Sequence, residues 1–459
     1  MTPYLITKKQ LSLDQRNGLA DMMTFMKDKS EREMVLTGAA GTGKTSLLNV
    51  FLKEVTKELH IKYYCTAYTN EAVRVLSQRS GKEYDKTICA LLGLKLENNE
   101  DKGKILIRDS SGFAGKYKLI VIDEASMIND ELLVMIHSVM AQYNELKLLY
   151  VGDEAQLPPV KYKSSAVFKS ISHIYKLTKV MRVSDDNPIL DIVTPIRENL
   201  LCPNDLFVRE DKVNSLGNGV HFYTMKPNFF DNLLSDFKSD NYVENKNYCR
   251  LLAYTNEAVD ASNGYIRRNI FGNDVDEYVP GDDLVVTEGY TVKLAGGADM
   301  QVYANGERLS VKAAVKTFDS ENAIPSWDLL VDNYAANSKK RSERHVKVLS
   351  FAGRSAYIIA KNNLINTARM HCTQVDPISG GKMYTRREAW SNYYDFVNSF
   401  CYVNYTYAMT VHKAQGSTID NVYVVENDIN RLDWDIVERN KLKYTAFTRA
   451  SKNLHIYFR

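Results

Sequence analysis

The sequence has no excess of one sign of charge, and few prolines or glycines. Its 59 Lys and Arg residues oppose 56 Asp and Glu residues, so the formal net charge is +3 over 459 residues. This balance excludes a histone-like polycation, although a local basic groove can still bind nucleic acid. The 10 prolines and 23 glycines match ordinary globular usage, which argues against long disordered or collagen-like segments.

Closely spaced cysteines and long apolar runs are also missing. The six cysteines lie far apart without a CxxC pair, which argues against a zinc module or a disulfide framework and favours reduced thiols. Charged residues interrupt every apolar segment well before the roughly 20 residues that a bilayer span requires. The N-terminus lacks a secretory apolar core. We therefore expect a cytoplasmic protein that does not span a membrane.

Two identical heptapeptides indicate a repeated architecture. The string AYTNEAV occupies residues 67–73 and again residues 253–259. Each copy follows an apolar run typical of a strand and opens a helix-like run, with Thr and Asn at the junction as candidate caps. Strand-like and helix-like segments also alternate through the first half of the chain. We therefore predict two α/β domains with parallel sheets covered by helices; coincidence in a chain rich in Tyr, Asn and Ala is the alternative.

Breaks in this alternation indicate the domain boundaries. Over residues 92–110, two alternating apolar stretches flank a polar turn, which predicts a projecting β-hairpin. Over residues 263–399, Gly and Asn separate short strand-like segments, which predicts a small all-β insertion with a helical extension. The first α/β domain would then cover residues 1–175, and the second would cover residues 176–262 and 400–459.

A glycine-rich segment carries the strongest chemical signal. The string GAAGTGKTS follows the apolar run MVL and precedes the helical run LLNVFLKEV, so it fits GxxxxGK[ST] in the required strand, loop and helix context. In such a loop, backbone N–H groups face the phosphates, Lys44 reaches the β and γ phosphates, and Thr45 ligates Mg²⁺. The residues expected to bind ATP here are Gly38, Ala39, Ala40, Gly41, Thr42, Gly43, Lys44, Thr45 and Ser46.

Polar side chains also follow two later strands. The apolar run LIVI ends in Asp123 and Glu124, at the sheet edge where the phosphate loop opens. We assign Asp123 to Mg²⁺ and Glu124 to the attacking water, as the general base. The run KLLYVGD ends in GDEAQLPPV, which places Gln156 at the same edge as a candidate contact of the γ-phosphate.

Two arginines and a late polar cluster complete the candidate set. Arg182 and Arg449 are candidates for stabilising charge on the departing phosphoryl group, although an arginine in such a context, taken alone, is more often a partner in a surface ion pair. The string YAMTVHKAQGST contains one histidine, and no second His or Cys stands at ligand spacing, so contacts to phosphates are favoured over a metal site.

Taken in order, these strings resemble the superfamily 1 helicases. They are TxxxxxxLxxxQ, GAAGTGKT, AYTNEAV, KTICALLG, IDEASM, GDEAQLPPV, LTKVMR, the second AYTNEAV, NGERLSV, TVHKAQGST and YTAFTR. The likeness is to the RecD-like branch, subgroup B, and within it to helicases of tailed phages. The resemblance implies two RecA-like domains, the use of ATP and Mg²⁺, 5′ to 3′ translocation on single-stranded DNA, and unwinding of forked duplex DNA. It also implies a monomer that works with a single-strand-binding or replisome protein.

The resemblance assigns roles to individual residues. Gln15 would contact the adenine, Gln156 the γ-phosphate, and Arg182 and Arg449 would act as arginine fingers. Gln415 and Gly416 would also face the nucleotide. The residues implied to contact DNA are Thr69, Asn70, Thr87, Thr255, Asn256, Thr410, His412 and Lys413. The hairpin resembles a strand-separating pin, and the insertion resembles a Src-homology-like β-barrel.

Departures from the family pattern leave alternatives open. Tyr68 replaces a usual proline, and its ring would either stack on a base or pack inward. The hairpin tip NNEDKG carries no aromatic wedge. Rival functions are a single-strand translocase that displaces proteins with little unwinding, a viral RNA helicase of the same superfamily, and a non-motor phosphate-loop protein such as a nucleoside kinase.

Overall fold

The chain divides into two compact units. The computed structural model describes residues 7–80, 82, 84, 86–99, 103–108, 112, 114–159, 162–178, 187–205, 207–293, 299–319, 323–333, 343–370 and 386–459. One unit comprises Met1–Ser262 with Ala408–Arg459, and the other comprises Asn263–Tyr407. Across these described ranges, we find no helix with the length and apolarity that a bilayer span needs.

The first part of the larger unit contains a five-stranded parallel sheet. Its order is β2-β5-β6-β1-β7. The strands of this part are β1 (Glu33–Gly38), β2 (Tyr63–Ala67), β3 (Leu94–Asn99), β4 (Gly103–Arg108), β5 (Leu119–Asp123), β6 (Lys147–Gly152) and β7 (Ile174–Leu177). The helices are α1 (Leu13–Lys27), α2 (Lys44–Leu59), α3 (Asn70–Ser80), α4 (Ile88–Leu92), α5 (Asp130–Met140) and α6 (Ala166–Ser170). The first four residues of β5 are fully buried, as expected for a parallel strand covered on both faces.

Strand β7 and the β3–β4 hairpin lie at two segments whose bounds are predicted from the sequence. Strand β7 pairs with β1 through Leu177, so the first sheet extends two residues past the predicted boundary at 175. Strands β3 and β4 pair antiparallel, which forms the hairpin predicted over 92–110. Its tip, residues 100–102, lies outside the described residues.

The second part of the larger unit contains a six-stranded sheet in the order β18-β10-β19-β20-β9-β8. All pairs are parallel except that of β8 with β9. The strands are β8 (Lys212–Val213), β9 (Gly219–Tyr223), β10 (Cys249–Ala253), β18 (Ala408–Thr410), β19 (Ile419–Val425) and β20 (Ala450–Tyr457). The helices are α7 (Ile189–Glu198), α8 (Lys226–Phe237), α9 (Asp240–Glu244), α10 (Asn256–Phe271), α13 (Glu426–Ile429) and α14 (Ile436–Phe447).

The heptapeptide repeat marks equivalent positions in the two sheets. In the first copy, β2 ends at Ala67 and α3 begins at Asn70. In the second copy, β10 ends at Ala253 and α10 begins at Asn256. Identical sequence therefore forms the same strand, loop and helix junction twice, and coincidence is no longer needed to explain the repeat.

The smaller unit contains an antiparallel sheet in the order β16-β15-β14-β11-β17 and a separate pair, β12 with β13. The strands are β11 (Asp283–Val286), β12 (Tyr290–Lys293), β13 (Asp299–Tyr303), β14 (Arg308–Asp319), β15 (Ile324–Asp332), β16 (Glu343–Leu349) and β17 (Val403–Tyr405). The helices are α11 (Arg354–Met370) and α12 (Arg386–Asn398). Because β17 pairs with β11, this unit ends at Tyr407, later than the predicted boundary at 399.

The two outer strands of this antiparallel sheet approach each other. The Cys401 N–H, two residues before β17, donates to the Lys347 carbonyl of β16 over 2.7 Å. Helices α11 and α12 pack on a small separate core that includes Tyr357, Phe396 and Phe400. The aromatic residues Phe396 and Phe400 thus contribute to a core.

A buried imidazole in the second sheet makes stability depend on pH. His455 stacks on Tyr423 with ring centroids 4.2 Å apart, and its Nδ1 lies 2.9 Å from the Tyr223 hydroxyl. Burial, with a smaller contribution from His221, lowers the pKa of His455 to about 3. The folded protein therefore keeps this ring neutral at pH values where an unfolded chain protonates it.

We predict that lowering the pH from 6.5 to 5 removes about 2 kcal/mol of folding free energy through His455, because only the unfolded state takes up the proton in this range. This contribution is fully present above pH 6.5 and is lost as the pH falls. Chemical unfolding of the wild type and of His455→Phe at pH 7, 6 and 5 measures it. The variant should show a shallower dependence on pH, and an unchanged slope would contradict the assignment.

Candidate active site

The phosphate loop joins β1 to α2 and requires glycine at several positions. Gly41 and Gly43 have φ angles of 82° and 80°, a region that residues with a Cβ rarely adopt. A Cβ on Gly38 would lie 2.8 Å from the Thr42 Oγ and 2.9 Å from the Leu177 carbonyl oxygen. The loop ends where Lys44 begins α2, so the N-terminus of that helix faces the space that the loop encloses.

The ammonium of Lys44 is held inside this loop. Its Nζ donates to the carbonyls of Gly38 over 2.6 Å and Ala39 over 3.0 Å. Burial lowers the pKa of Lys44, and the nearby carboxylates of Asp153, Glu124 and Asp123 oppose that shift. A bound phosphate would supply the negative charge that this desolvated cation lacks.

A cavity of about 450 Å³ opens beside the loop. The predicted residues on its wall are Gln15, Ala40, Gly41, Gly43, Lys44, Thr45, Ser46, Asp123, Glu124, Gln156, Gly416 and Arg449. Eight further residues line it that the sequence analysis did not identify, namely Gln10, Val151, Gly152, Ser417, Thr418, Thr448, Ala450 and Ser451. The cavity is therefore built from both sheets of the larger unit. Arg182 lies outside the described residues.

Four predicted nucleotide contacts are absent from the described wall of this cavity, namely Gly38, Ala39, Thr42 and Gln415. Ala39 and Thr42 bond to each other, because the Thr42 hydroxyl donates to the Ala39 carbonyl over 2.9 Å. Gln415 instead bridges the two sheets, and its Nε2 donates to the Leu157 carbonyl over 2.9 Å. Its observed position supports packing between domains, and a contact with nucleotide stays a prediction.

Gln15 lies in the cavity wall but is already hydrogen-bonded to the protein. Its side-chain oxygen accepts from the Ser12 N–H at 3.1 Å and its Nε2 donates to the carbonyls of Thr42 and Gly43, both at 3.4 Å. This amide therefore links the first turn of α1 to the phosphate loop. The predicted contact with adenine would require some of these bonds to be exchanged.

Two carboxylates follow β5 on the cavity wall. The Glu124 N–H donates to the Asp123 carboxylate over 2.9 Å. Glu124 has a φ of 53°, a left-handed conformation that is strained for a residue with a side chain. Asp123 and the Thr45 hydroxyl supply the oxygen ligands that Mg²⁺ prefers, so the described donor set fits this ion.

Arg449 of the second sheet reaches the carboxylate of the first. Its guanidinium donates to the carbonyls of Thr445 over 3.1 Å and Ser417 over 3.4 Å, which fixes its direction. The Nη1 atom then lies 4.0 Å from the Glu124 Oε1. A cation of the second sheet thus stands beside the candidate base of the first.

A second link between the sheets was missed by the sequence analysis. The Asp153 carboxylate, fully buried, accepts from Arg197 over 3.1 Å and from the Tyr444 hydroxyl over 2.5 Å. The Tyr444 oxygen in turn accepts from the Ala40 N–H of the phosphate loop over 3.2 Å. Tyr444 opens the string YTAFTR that drew attention to Arg449, but nothing in one sequence connects it to Asp153, 291 residues away.

The predicted DNA contacts of the first sheet cluster after β2. The Thr69 Oγ accepts from the Ala72 N–H at 3.2 Å and so caps α3. The Thr66 hydroxyl donates to the Lys86 carbonyl, which brings Thr87 close to the same strand end. Tyr68 exposes 39% of its surface, so its ring is only partly packed inward.

The equivalent loop of the second sheet has a different partner. The Thr255 hydroxyl lies 2.9 Å from the Asp428 Oδ1, and the N–H groups of Tyr254 and Thr255 donate to the Oδ2 of Asp428 over 2.8 and 2.7 Å. Asp428 is 4% exposed. A carboxylate therefore occupies the N–H groups that would otherwise be available to a DNA phosphate.

The remaining predicted DNA contacts lie on the turn after β18. Thr410 pairs with Ala253, so this turn lies beside the Thr255 loop. Burial lowers the pKa of His412, which keeps its ring neutral at pH 7. At the end of the turn, a Cβ on Gly416 would lie 2.9 Å from the Ala72 Cβ. The Thr69 and Thr255 loops are therefore brought close together through this turn.

Comparisons with known proteins match both halves of this site. An AAA domain model matches residues 10–201, and the model of the UvrD-like helicase C-terminal domain matches residues 405–457. The ATP-dependent DNA helicase dda of Enterobacteria phage T4 is 28% identical over 97% of this chain and 98% of that protein. The ATP-dependent DNA helicase Pif1 of Bdellovibrio bacteriovorus is 29% identical over 37% of this chain and 40% of that protein. Over nearly its whole length, the chain is thus similar to an ATP-dependent DNA helicase.

A solved helicase structure also aligns along the chain. The crystal structure of Pif1 helicase from Candida albicans covers 98% of this chain and 94% of its own, with a TM-score of 0.48 and 16% identity. Within the described residues, the contacts of Arg449, Tyr444 and Gln415 link the two parallel sheets beside the phosphate loop.

We predict that Tyr444→Phe destabilises the protein by about 1–3 kcal/mol, because the buried Asp153 carboxylate loses a donor and the Ala40 N–H loses its acceptor. Chemical unfolding of the nucleotide-free protein measures the change. Tyr457→Phe, on β20 of the same sheet, is the matched control, because its hydroxyl makes no hydrogen bond with the described residues. Equal effects of the two substitutions would contradict the role of the Tyr444 hydroxyl.

Proposed function

We propose that the protein is an ATP-driven DNA helicase that moves 5′ to 3′ along single-stranded DNA and unwinds forked duplexes. The observation that carries this proposal is the approach of Arg449, from the second sheet, to Glu124 in the phosphate-loop site of the first. Hydrolysis followed by release of phosphate would remove negative charge from the space between the two sheets, so their spacing would change during each cycle.

The residues on the cavity wall suit hydrolysis of the γ-phosphate. Glu124 would accept a proton from water while the water oxygen bonds to the γ-phosphorus. The bond from that phosphorus to the bridging oxygen would break, leaving its electron pair on ADP. Lys44 and Arg449 would stabilise the charge on the phosphoryl oxygens. Mg²⁺ held by Thr45 and Asp123 would neutralise further phosphate charge.

The two heptapeptide loops suit a pair of contacts to a nucleic-acid backbone. Both loops lead into helix N-termini, which favour phosphate groups, and in the second loop a phosphate would compete with Asp428 for the N–H groups of Tyr254 and Thr255. Backbone contacts of this kind hold a strand without reading its sequence, which a translocating motor requires. The phage T4 and Bdellovibrio relatives are named DNA helicases, which supports DNA over RNA as the nucleic acid along which this protein moves.

The inserted elements suit accessory roles. The β3–β4 hairpin would act as the pin that separates the strands. The antiparallel sheet of the smaller unit would act as a Src-homology-like barrel. The hydrogen bond from the Cys401 N–H to the Lys347 carbonyl joins its two outer strands and supports closure of the barrel. The protein would act as a monomer.

Duplexes with single-stranded tails test the activity and its direction. We expect a duplex with a 5′ tail to be unwound in the presence of ATP and Mg²⁺, and a duplex with only a 3′ tail to remain paired. Strand separation is followed with a fluorophore and quencher pair. Lys44→Ala is the control, because it removes the phosphate contact of Lys44 and should abolish ATP turnover.

Three results would contradict the proposal in different ways. Unwinding from the 3′ tail alone would reverse the direction. ATP hydrolysis stimulated by single strands without any duplex separation would indicate a protein-displacing translocase. Stimulation by RNA and not by DNA would indicate an RNA helicase.

We predict that Thr69→Ala weakens single-strand binding by about 3- to 10-fold, the loss of one hydrogen bond, whereas Thr255→Ala weakens it by less than about 2-fold. Asp428 occupies the Thr255 hydroxyl, while the Thr69 hydroxyl donates to no acceptor among the described residues. Fluorescence anisotropy with a labelled oligonucleotide measures both affinities.

The two substitutions control for each other. Each threonine caps its helix with a 3.2 Å bond, from Ala72 in one case and Ala258 in the other, so the loss of a cap is common to both variants. Equal losses of affinity would mean that the Asp428 contact does not distinguish the two loops.

A further inference from the structure

A second cavity adjoins the nucleotide cavity and has no role in the proposed function. Its volume is about 630 Å³, and it shares Gln156 with the nucleotide cavity. Ala39 of the phosphate loop and Ser126, two residues after Glu124, also line it. Two of its walls are therefore formed by segments that flank the predicted position of the γ-phosphate.

Three polar atoms on this wall lack hydrogen-bond partners in the described part of the chain. They are the Oγ atoms of Ser126 and Ser164 and the Oε1 of Gln156. Ser126 is 1% exposed and Gln156 is 7% exposed. Buried polar groups are normally hydrogen-bonded, and leaving one unsatisfied costs about 1–3 kcal/mol. Three such atoms on one cavity indicate a site built for a polar ligand.

A buried lysine gives this cavity its charge. Lys441 is 7% exposed, lines the cavity, and forms no ion pair with any described residue. Burial lowers the pKa of Lys441, and the carboxylates of Glu154, Asp153 and Asp435 oppose that shift only from a distance. An ammonium desolvated in this way is stabilised by an anion.

The other charged groups on the wall are already balanced or exposed. Arg197 pairs with Asp153 at 3.1 Å, and Lys176 pairs with Glu154 at 2.8 Å. Glu198 is exposed at the rim. Among the described residues of this wall, Lys441 is thus the buried charge without a counter-ion, and an anionic ligand would supply one.

We propose that this cavity binds the inorganic phosphate released from ATP, held by Lys441, Ser126, Ser164 and Gln156, while ADP still occupies the nucleotide cavity. The proposal rests on the ATP hydrolysis of the proposed function. Serine hydroxyls and an ammonium can donate to phosphate oxygens. The unpaired Gln156 Oε1 can only accept, and monohydrogen phosphate carries one P–O–H group that donates.

This acceptor distinguishes phosphate from other oxyanions. Sulfate has the same tetrahedral shape and charge as monohydrogen phosphate but carries no proton at neutral pH. A site that includes a buried acceptor should therefore favour phosphate over sulfate, because sulfate leaves the Gln156 oxygen unpaired. A shallow electrostatic site would bind both ions alike.

Calorimetric titration of the full chain, saturated with ADP and Mg²⁺, with inorganic phosphate tests the proposal. We expect one phosphate to bind, and sulfate to bind at least about tenfold more weakly. Lys441→Met should weaken phosphate binding about tenfold or more, and Lys441→Arg should restore part of it. Lys169→Met is the matched control, because it removes an exposed lysine charge on α6, next to the cavity-lining Phe168, and should leave phosphate affinity unchanged.

Several outcomes would overturn the proposal. The proposed phosphate site would be contradicted if the wild type and Lys441→Met bound phosphate equally well. It would also be contradicted if the protein bound sulfate and phosphate equally well. Phosphate binding that is lost in Lys44→Ala but retained in Lys441→Met would place the ion in the nucleotide cavity. If Lys441→Met no longer binds ADP, Ser164→Ala supplies the comparison, because its hydroxyl bonds to no described residue and its loss should not disturb folding.

The proposed function and this site can fail separately. Unwinding of the tailed duplex by the wild type tests the helicase activity without reference to Lys441. A protein that binds phosphate through Lys441 but separates no duplex would keep the site and lose the helicase assignment. A protein that unwinds DNA but binds no phosphate beside ADP would keep the helicase assignment and lose the phosphate site.

Discussion

A buried carboxylate, that of Asp153, is the point at which the two parallel sheets of the larger unit depend on each other. Arg197 of α7 and Tyr444 of α14 both come from helices of the second part of the larger unit, and Asp153 follows the last buried residues of β6 in the first sheet. A charge at this depth requires all of its partners, so the two sheets are held in a defined relation. Because Tyr444 also bonds to Ala40, that relation extends to the phosphate loop.

The catalytic geometry follows from the same arrangement. Arg449 lies at the end of the helical segment that carries Tyr444, and backbone carbonyls direct it toward Glu124. Glu124 is itself held in a left-handed conformation. Since the surrounding fold maintains a backbone angle that is unfavourable in isolation, the position of this carboxylate is set by the sheet edge and not by its own preference.

Much of this organisation could be predicted from sequence. The glycines of the phosphate loop, the carboxylates after β5 and the repeated heptapeptide each have a local physical signature, and the structure places each at a carboxyl edge of a sheet. The Asp153 network, the Thr255–Asp428 contact and the cavity around Lys441 lack such a signature. The Asp153 network joins residues 44 to 404 positions apart, and the Thr255–Asp428 contact joins residues 173 positions apart. The cavity around Lys441 depends on burial, which only the packed chain determines.

The difference between the two heptapeptide loops has a consequence for directed motion. If the proposed function holds, and the Thr69 and Thr255 loops bound the strand with equal affinity, neither loop would release the strand before the other. Identical sequence provides the same helix cap in both loops, and Asp428 makes them unequal by competing for the second. Coupled to ATP hydrolysis, a competitor of this kind would bias which contact releases first, so that two loops of identical sequence play unequal parts in each step.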